Sequence, residues 1–480
     1  MADYLDNPNP LTILVVTPEW APEPVKAIFK ASPEKPIIGE PGNQPGEIVL
    51  VKSENQYSAI VSLGSQYNRT TETFRQAGGG LARWLRQTNT TAIDIDLKDF
   101  NDFGIPDALS ALCEGLFLGS FQFNRYKSKT GPDVNAQVVL RGDTNNSEVA
   151  ERVKHAQVLT SAVNMARDWS HEPPNIINPI TLAERAETVA ASHGLRCTVL
   201  DDNTLAEMKA GAILSVGKGS LTPSRMIILE YPGHNPHKDD KPVVLIGKAL
   251  TFDTGGYSLK SHENIQGMKY DKSGGLAVIA ALRAAADLQI TNPVIGIVGA
   301  AENKISGGSY LPDDIITTLS GITVEIISTD AEGRLVLADI LTYAQKNFAP
   351  KAIIDLATLT GGVVVALGHV RAGMMTNNND LAQELMQAGE RTYERLWQLP
   401  LDEEYGKLIK GKDADIKNGG GREAHSIMGG IFLKEFVSNE VPWAHLDIAG
   451  MADTQKELPY CPEGGTGFGV RLLIDYLENQ

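Results

Sequence analysis

Seven charged side chains fall in three short stretches of this 480-residue chain: Lys248, Asp253 and Lys260 in GKALTFDTGGYSLK, Asp271 in MKYDKSGG, and Asp330, Glu332 and Arg334 in STDAEGRL. Asp330 and Glu332, one residue apart, would repel each other if both were buried without a cation. Each group also has an ordinary reading. Acidic residues at a helix start stabilise it by a few tenths to about one kcal/mol, an Asp before Thr-Gly-Gly is common turn chemistry, and a Lys closing a buried strand usually snorkels to the surface. Together they say more. Asp253, Asp271, Asp330 and Glu332 would supply four carboxylates, a charge that two divalent cations neutralise, leaving Lys260 and Arg334 to face a substrate oxyanion or a bound anion. Two ions about 3.5–4 Å apart can share a hydroxide and polarise a carbonyl, a hydrolytic design. Oxygen-rich ligation points to Mn²⁺ or Mg²⁺, with Zn²⁺ and Co²⁺ open.

The elements that must carry these groups are legible. PVVLIG (242–247), PVIGIVGA (293–300), ITVEII (322–327) and AIIDLA (352–357) are continuous apolar runs rich in β-branched residues, as expected of strands covered on both faces in a mainly parallel sheet. Helical patterns at 274–288 and 333–346 lie between them. The charged stretches follow the first and third of these runs, where open α/β sheets build their sites. TGGVVVALG (360–368) reads as a buried segment after a tight turn. Upstream, LTILVV near residue 11, EIVLV (47–51), SAIVSL (58–63) and AQVVL (136–140) read as strands, with helices from about Glu72 to Arg86 and Pro106 to Gly119 and a Pro- and Gly-rich loop at 33–46. Asn145, Asn146 and Ser147 signal a helix start, and Val153, Ala156, Leu159, Val163 and Ala166 recur at helical spacing, giving an amphipathic connecting helix that HEPPNIINP (171–179) ends. The fold class is therefore α/β: a small N-terminal α/β domain over 1–147, the connecting helix over 148–170, and a larger C-terminal α/β domain over 171–480 with a central mixed, mainly parallel sheet.

Composition is that of a globular protein, with 42% hydrophobic and 21% charged residues. The net charge of −16 repels phosphate backbones and anionic lipids, so nucleic acid is not the expected partner. Cys113, Cys197 and Cys461 are odd in number and far apart, which excludes a disulfide framework and a thiolate zinc site and fits a cytoplasmic location. No run approaches a membrane span. The nine histidines include no HExxH. His369 and His445 sit in apolar text and read as satisfied core or interface residues. VGKGS (216–220) lacks the spacing of a phosphate loop, and Lys238, Asp239, Asp240 and Lys241 read as a solvated loop.

GKALTFDTGGYSLK, MKYDKSGG, STDAEGRLVLAD, DLATLTGG and WAHLDIAG, in this order, resemble the leucine aminopeptidase family, the cytosol-type dinuclear metallopeptidases; the likeness spans about residues 160–480. It implies a metal-dependent aminopeptidase that removes Leu and other apolar N-terminal residues from short peptides through a two-metal-bridged hydroxide, with 171–480 as the catalytic domain. By the same resemblance Asp253 and Glu332 bridge the metals, Lys248 and Asp271 complete the tighter site, and Asp330 completes the more exchangeable one. Lys260 would steady the oxyanion, and Arg334 would hold a bicarbonate serving as general base. Met268, Thr358, Gly361 and Ala449 match the pocket for the N-terminal side chain. The implied cofactors are two divalent ions per chain, Mn²⁺ or Zn²⁺ with Mg²⁺ or Co²⁺ as alternatives. The implied partners are peptides with a free N-terminus and, in a homohexamer, further copies of the chain.

Five positions depart from the family's usual residues: Ala249 for Gly, Lys272 for Met or another uncharged residue, Ser328 for Asn, His425 for Gly and Met428 for Thr. Lys272 adjoins Asp271, so it bears on metal affinity. His425 adds an imidazole near the pocket. Two other functions stand beside the peptidase: an oligomeric family member without turnover or with altered specificity, and, more remotely, DNA binding.

Overall fold

The computed structural model describes residues 11–16, 25–30, 44–53, 56–65, 67, 69–101, 104–128, 136–142, 147–234 and 240–480. Residues 33–43 of the expected loop, Asn145 and Asn146, and Lys238 and Asp239 lie outside the described residues. The chain forms two compact units, Met1–Asn164 with Gln455–Gly464, and Met165–Thr454 with Gly465–Gln480.

In the first unit six strands, β1 (Leu11–Val16), β2 (Val25–Lys30), β3 (Ile48–Ser53), β4 (Gln56–Ser62), β5 (Ala92–Asp96) and β6 (Ala136–Arg141), make a sheet in the order β1-β6-β5-β2-β4-β3. Every neighbouring pair is parallel except β3 with β4. The helices Thr71–Thr88 and Ala108–Gly119 bury Phe74, Leu81, Leu112 and Leu116 in one core with Ile93, Ile95, Val138 and Leu140. Strands β2 and β5 are additions to the sequence reading. AIDID alternates isoleucines with acids, so only Ile93 and Ile95 are buried, and VKAIFK carries a lysine near each end.

The second unit holds β7 (Arg196–Leu200), β8 (Arg225–Tyr231), β9 (Val243–Asp253), β10 (Val294–Asn303), β11 (Ile315–Thr317), β12 (Thr323–Glu325), β13 (Ala352–Ala357), β14 (Ala372–Thr376), β15 (Leu396–Gln398), β16 (Ile416–Lys417) and β17 (Trp443–Asp447). Eight of them form a sheet in the order β15-β14-β17-β13-β9-β10-β8-β7. Its middle, β17-β13-β9-β10, is parallel throughout, and antiparallel pairs flank it. Helices cover both faces of this middle. A Cβ on Gly247 would meet Gly275 of the helix Ser273–Asp287 at 2.4 Å, and one on Gly299 would meet Val336 and Ile340 of the helix Gly333–Asn347 at 2.4 Å. Gly299 pairs with Lys248, one step along from Gly247, so the two glycines look to opposite faces. Every residue of β10 and all but Phe252 of β9 are consequently buried. This is the mixed, mainly parallel α/β architecture expected.

Three expectations need correction. ITVEII does not join the large sheet: only Thr323–Glu325 is strand, in a small sheet of order β11-β12-β16. Its Thr–Val–Glu centre alternates, and Val324 alone of the three is buried. TGGVVVALG is not a buried segment but the helix Gly361–Leu367, with only Val363 buried and Val365 90% exposed. The connecting helix, Ser147–His171, alternates as an amphipathic helix does only in its first half; residues 162–171 are buried on every face. Among the described residues no helix is long and apolar enough to cross a membrane.

Candidate metal centre

Strand β9 carries Lys248 at its middle and Asp253 at its carboxyl end. Five residues apart, they would point to opposite faces of a regular strand. The pairing with β10 slips at this point, Leu250 facing Ala301 and Phe252 facing Glu302, so Thr251 is an extra residue. Such a bulge bends the strand beyond it and returns Asp253 to the side of Lys248. Asp271 sits in the 3₁₀ turn Met268–Lys272, just before the helix Ser273–Asp287. Glu332 caps the helix Gly333–Asn347, whose first turn holds Arg334. Gly333 is required there, because a Cβ would lie 2.8 Å from Lys248 Nζ. Thr358 and Gly361 follow β13, and Ala449 follows β17.

Lys248 is buried with its Nζ 2.9 Å from Asp271 Oδ1, 2.9 Å from Glu332 Oε1 and 2.9 Å from the Thr358 carbonyl, to which it donates. Lys260 pairs with Asp253 Oδ2 at 2.7 Å and with Asp330. Asp253 Oδ1 accepts from the Gly255 amide and from Asn303 Nδ2, each at 2.8 Å. Its aspartate therefore also makes the turn that its sequence suggested. Thr358 Oγ1 donates to Asp271 Oδ1 at 2.6 Å. Arg334 donates from Nη1 to the Asn418 carbonyl at 2.8 Å, and its Nε has no partner.

Charge is crowded here. Burial, reinforced by Glu332, pushes Asp253 up to about 7 against the pull of Lys260 and Lys248. Burial likewise pushes Asp271 up to about 6, opposed by Lys248. Burial would raise Glu332 too, but Lys248 and Lys260 outweigh it and hold this carboxyl low. Burial would lower Lys248, yet Asp271, Glu332 and Asp253 keep it charged. Arg334 is lowered to about 10 by burial.

The donor set fits divalent cations. Asp253, Asp330 and Glu332 each offer a carboxylate oxygen within 4.8 Å of the others. Asp271 Oδ2 and Glu332 Oε2 are buried without a hydrogen-bond partner, which is costly unless a ligand uses them. Two lysine ammoniums stand among the carboxylates as internal counter-ions. A donor set of carboxylate oxygens suits a hard or borderline ion.

All eleven residues singled out in the sequence line one cavity of about 890 Å³: Lys248, Asp253, Lys260, Met268, Asp271, Asp330, Glu332, Arg334, Thr358, Gly361 and Ala449. His425 lines it too. Matches to known proteins span the same residues. The catalytic-domain model of the cytosol aminopeptidase family matches residues 164–474, and the family's N-terminal-domain model matches 42–130. The chain belongs to the cytosol aminopeptidase family. A probable cytosol aminopeptidase of Syntrophotalea carbinolica is 44% identical over 88% of this chain and 85% of its own length. One of Roseiflexus castenholzii is 38% identical over 98% and 93%. Among solved structures, the bottromycin maturation enzyme BotP in complex with Mn superposes with a TM-score of 0.86 at 32% identity, covering 95% of this chain and 99% of that one. A tomato leucine aminopeptidase mutant does so with a TM-score of 0.86 at 29% identity, covering 98% and 97%. As a family member the protein is a metal-dependent aminopeptidase, a hydrolase of the metallo-exopeptidase type.

Three supporting residues escaped the sequence reading. Asn303, at the end of β10, ties Asp253 to the Thr329 carbonyl, donating to the latter at 2.9 Å. Thr329 Oγ1 donates to the Gly255 carbonyl at 2.6 Å, and Asn418 Oδ1 accepts from the Ile327 amide at 2.7 Å. Their signal was positional: Asn303 ends the strand beside β9. His445 is buried in the sheet, as expected, with Nδ1 2.5 Å from Asp355 Oδ1. His369 is exposed rather than in the core, with Nδ1 2.8 Å from the Gly450 carbonyl.

Proposed function

We propose that the protein removes N-terminal residues, Leu and other apolar ones foremost, from short peptides with a free N-terminus, using two divalent cations. Asp253 and Glu332 would be shared between the ions, with Asp271 and Lys248 on one, the ion taking the place of the Lys248 proton, and Asp330 on the other. One observation carries this reading: four carboxylates converge in a cavity with the two buried oxygens, Asp271 Oδ2 and Glu332 Oε2, left without partners. The ions, when bound, supply Lewis-acid polarisation of a carbonyl and activation of water. Mn²⁺ or Zn²⁺ fits this donor set, and Mg²⁺ or Co²⁺ are alternatives.

The chain's own residues do the rest. Lys260, already paired with Asp253 and Asp330, brings a fixed positive charge to the site of the developing oxyanion. Arg334, with its Nε unused, offers an anion seat for bicarbonate as proton acceptor. Met268, Thr358, Gly361 and Ala449 receive the N-terminal side chain. The free amine of the peptide joins the carboxylate end of the cavity, so a blocked terminus loses that attachment. Assembly as a homohexamer and a cytoplasmic location belong to the same reading.

The test is hydrolysis of leucine amide by chelator-stripped protein titrated with Mn²⁺ and then Zn²⁺. Activity returning near two ions per chain, with N-acetylated peptides untouched, supports the proposal. Equal cleavage of blocked and free peptides would refute it.

A further inference from the structure

Lys272 follows Asp271 directly and is wholly buried. Its ammonium is held by backbone: Nζ donates to the carbonyls of Ser170 at 3.2 Å and Glu172 at 3.1 Å, and to that of Lys269. Three donors meet three acceptors, the full capacity of an ammonium. Beside it, Lys269 Nζ donates to the His171 carbonyl at 3.1 Å. The carbonyls of residues 170, 171 and 172 thus each receive a lysine. They lie at and just past the end of the 25-residue helix Ser147–His171, where a helix leaves carbonyls unpaired and its dipole is negative.

Capping alone would be satisfied by an exposed lysine. Burying a lysine is costly: burial lowers the pKa of Lys272 to about 7, and its three carbonyl acceptors favour the charged form against that; the cost falls at the turn that carries Asp271. That aspartate takes Lys248 and Thr358 Oγ1 on Oδ1, while Oδ2 stays unpartnered. Its direction is set by the backbone of a five-residue turn, Met268–Lys272. The Tyr270 amide ties the start of the turn to the Gly267 carbonyl at 2.8 Å.

We propose that Lys272 is a positioning residue for the metal centre: its buried side-chain nitrogen clamps the Asp271 turn to the carbonyls of Ser170 and Glu172. This rests on the reading of Asp271 as a metal ligand. Groups that orient ligands from behind typically change metal affinity by about 10–100-fold when removed.

The experiment is Mn²⁺ titration of full-length, chelator-stripped wild type, Lys272→Met and Lys272→Ala, by calorimetry and by the spin-resonance signal of free Mn²⁺. Lys272→Met keeps the length and loses the charge. It should weaken one of the two Mn²⁺ sites by about 10–100-fold and leave the other unchanged. Lys272→Ala opens a space beside three carbonyls, so added methylammonium should restore its weakened site, whereas it should not restore that of the filled Lys272→Met variant. Wild-type affinity at both sites of Lys272→Met would overturn the proposal. If the variants do not fold, hydrogen exchange on the wild type decides: residues 170–172 and 268–272 should gain protection together on Mn²⁺ binding, and protection of the second segment alone would overturn it. Wild type that takes up no Mn²⁺ would instead refute the ligand reading itself, and this inference with it.

Discussion

Each unit buries a cluster of opposite charges, and the two clusters are finished differently. In the first unit Arg75 lies between Glu114, 2.8 Å from its Nε, and Glu72, 2.5 Å from its Nη1; Glu72 also accepts from Gln76 Nε2 at 3.0 Å. Burial would lower the guanidinium's affinity for its proton, but Glu114 and Glu72 reverse that and raise it. In the second unit four carboxylates share Lys248 and Lys260, and Asp253 and Asp271 are pushed up to about 7 and about 6, burial being the main cause. Two buried carboxylate oxygens there have no partner. In the Arg75 cluster no buried atom of Arg75 or Glu72 is left without a partner, as suits a cluster whose unused groups would only cost stability. A cluster that serves a ligand is left short of partners.

The sharpest way to break this contrast is to remove one charge from each. Glu332→Gln should lower kcat/KM for leucine amide by at least ~10³-fold, since groups that act as a unit fail together. The metal-free variant should melt only slightly lower than wild type, because its ion pair with Lys248 is lost while a carboxylate that repels Asp253 and Asp271 is gone. Arg75→Met should do the reverse. Removing one partner of a buried ionic cluster costs about 3–5 kcal/mol, read by urea unfolding of the first unit, while turnover by the remaining folded enzyme stays at the wild-type value. An Arg75 variant that kept its stability and lost turnover would erase the distinction.

The unequal finish of the clusters also explains what could be read in advance. Asp253, Asp271, Asp330 and Glu332 were visible because acids at the ends of apolar strands have no packing role, and residue type alone raises the question of a cation. The order of the motif blocks then linked them to a family. What brings Asp253 beside Lys248 was not legible: the extra residue at Thr251 is a register slip against β10, a property of two strands together. Asn303, Thr329 and Asn418 were missed for a similar reason, since they act through hydrogen bonds fixed only by tertiary placement. ITVEII misled because an apolar run tells of burial and not of which sheet supplies it. VVVA in the helix Gly361–Leu367 misled because Val364 and Val365 line a cavity wall, where apolar side chains remain open to solvent.

A third buried charge pair tests the contrast by pH. Asp355 accepts from Trp443 Nε1 at 2.7 Å and pairs with His445 Nδ1. Burial would lower His445, but Asp355 outweighs it and raises the imidazole above its ordinary value. A group whose proton is held more tightly in the folded state adds stability below its unfolded pKa, and that contribution is lost as pH rises through the folded one. Asp355→Asn should therefore destabilise the protein by about 1.5–3 kcal/mol at pH 6, the range of a hydrogen bond to a charged group. The loss should shrink towards pH 9, as the imidazole gives up its proton in the folded state too. Equal losses at both pH values would mean that the pair is neutral throughout.

The smallest expected effect lies at the edge of the metal cluster. His425 stands in the wall between the 890 Å³ cavity and a neighbouring one of about 550 Å³; Gly361, Val365 and Gly421 line both as well. The imidazole is half-buried, and burial, then Arg334, lowers its pKa, so it is a neutral wall at pH 7. Gly362 makes room for it: a Cβ there would lie 2.8 Å from the His425 Cβ. His425→Gly should join the two cavities and favour a bulkier N-terminal residue. The ratio of kcat/KM for phenylalanine amide over leucine amide should rise by about tenfold, the low end of what a reshaped apolar pocket discriminates. Mn²⁺ affinity should not change, because His425 supplies no atom to the carboxylate cluster. Weaker Mn²⁺ binding in this variant would extend the deliberately unfinished region outward from the four carboxylates to the helix that begins at His425.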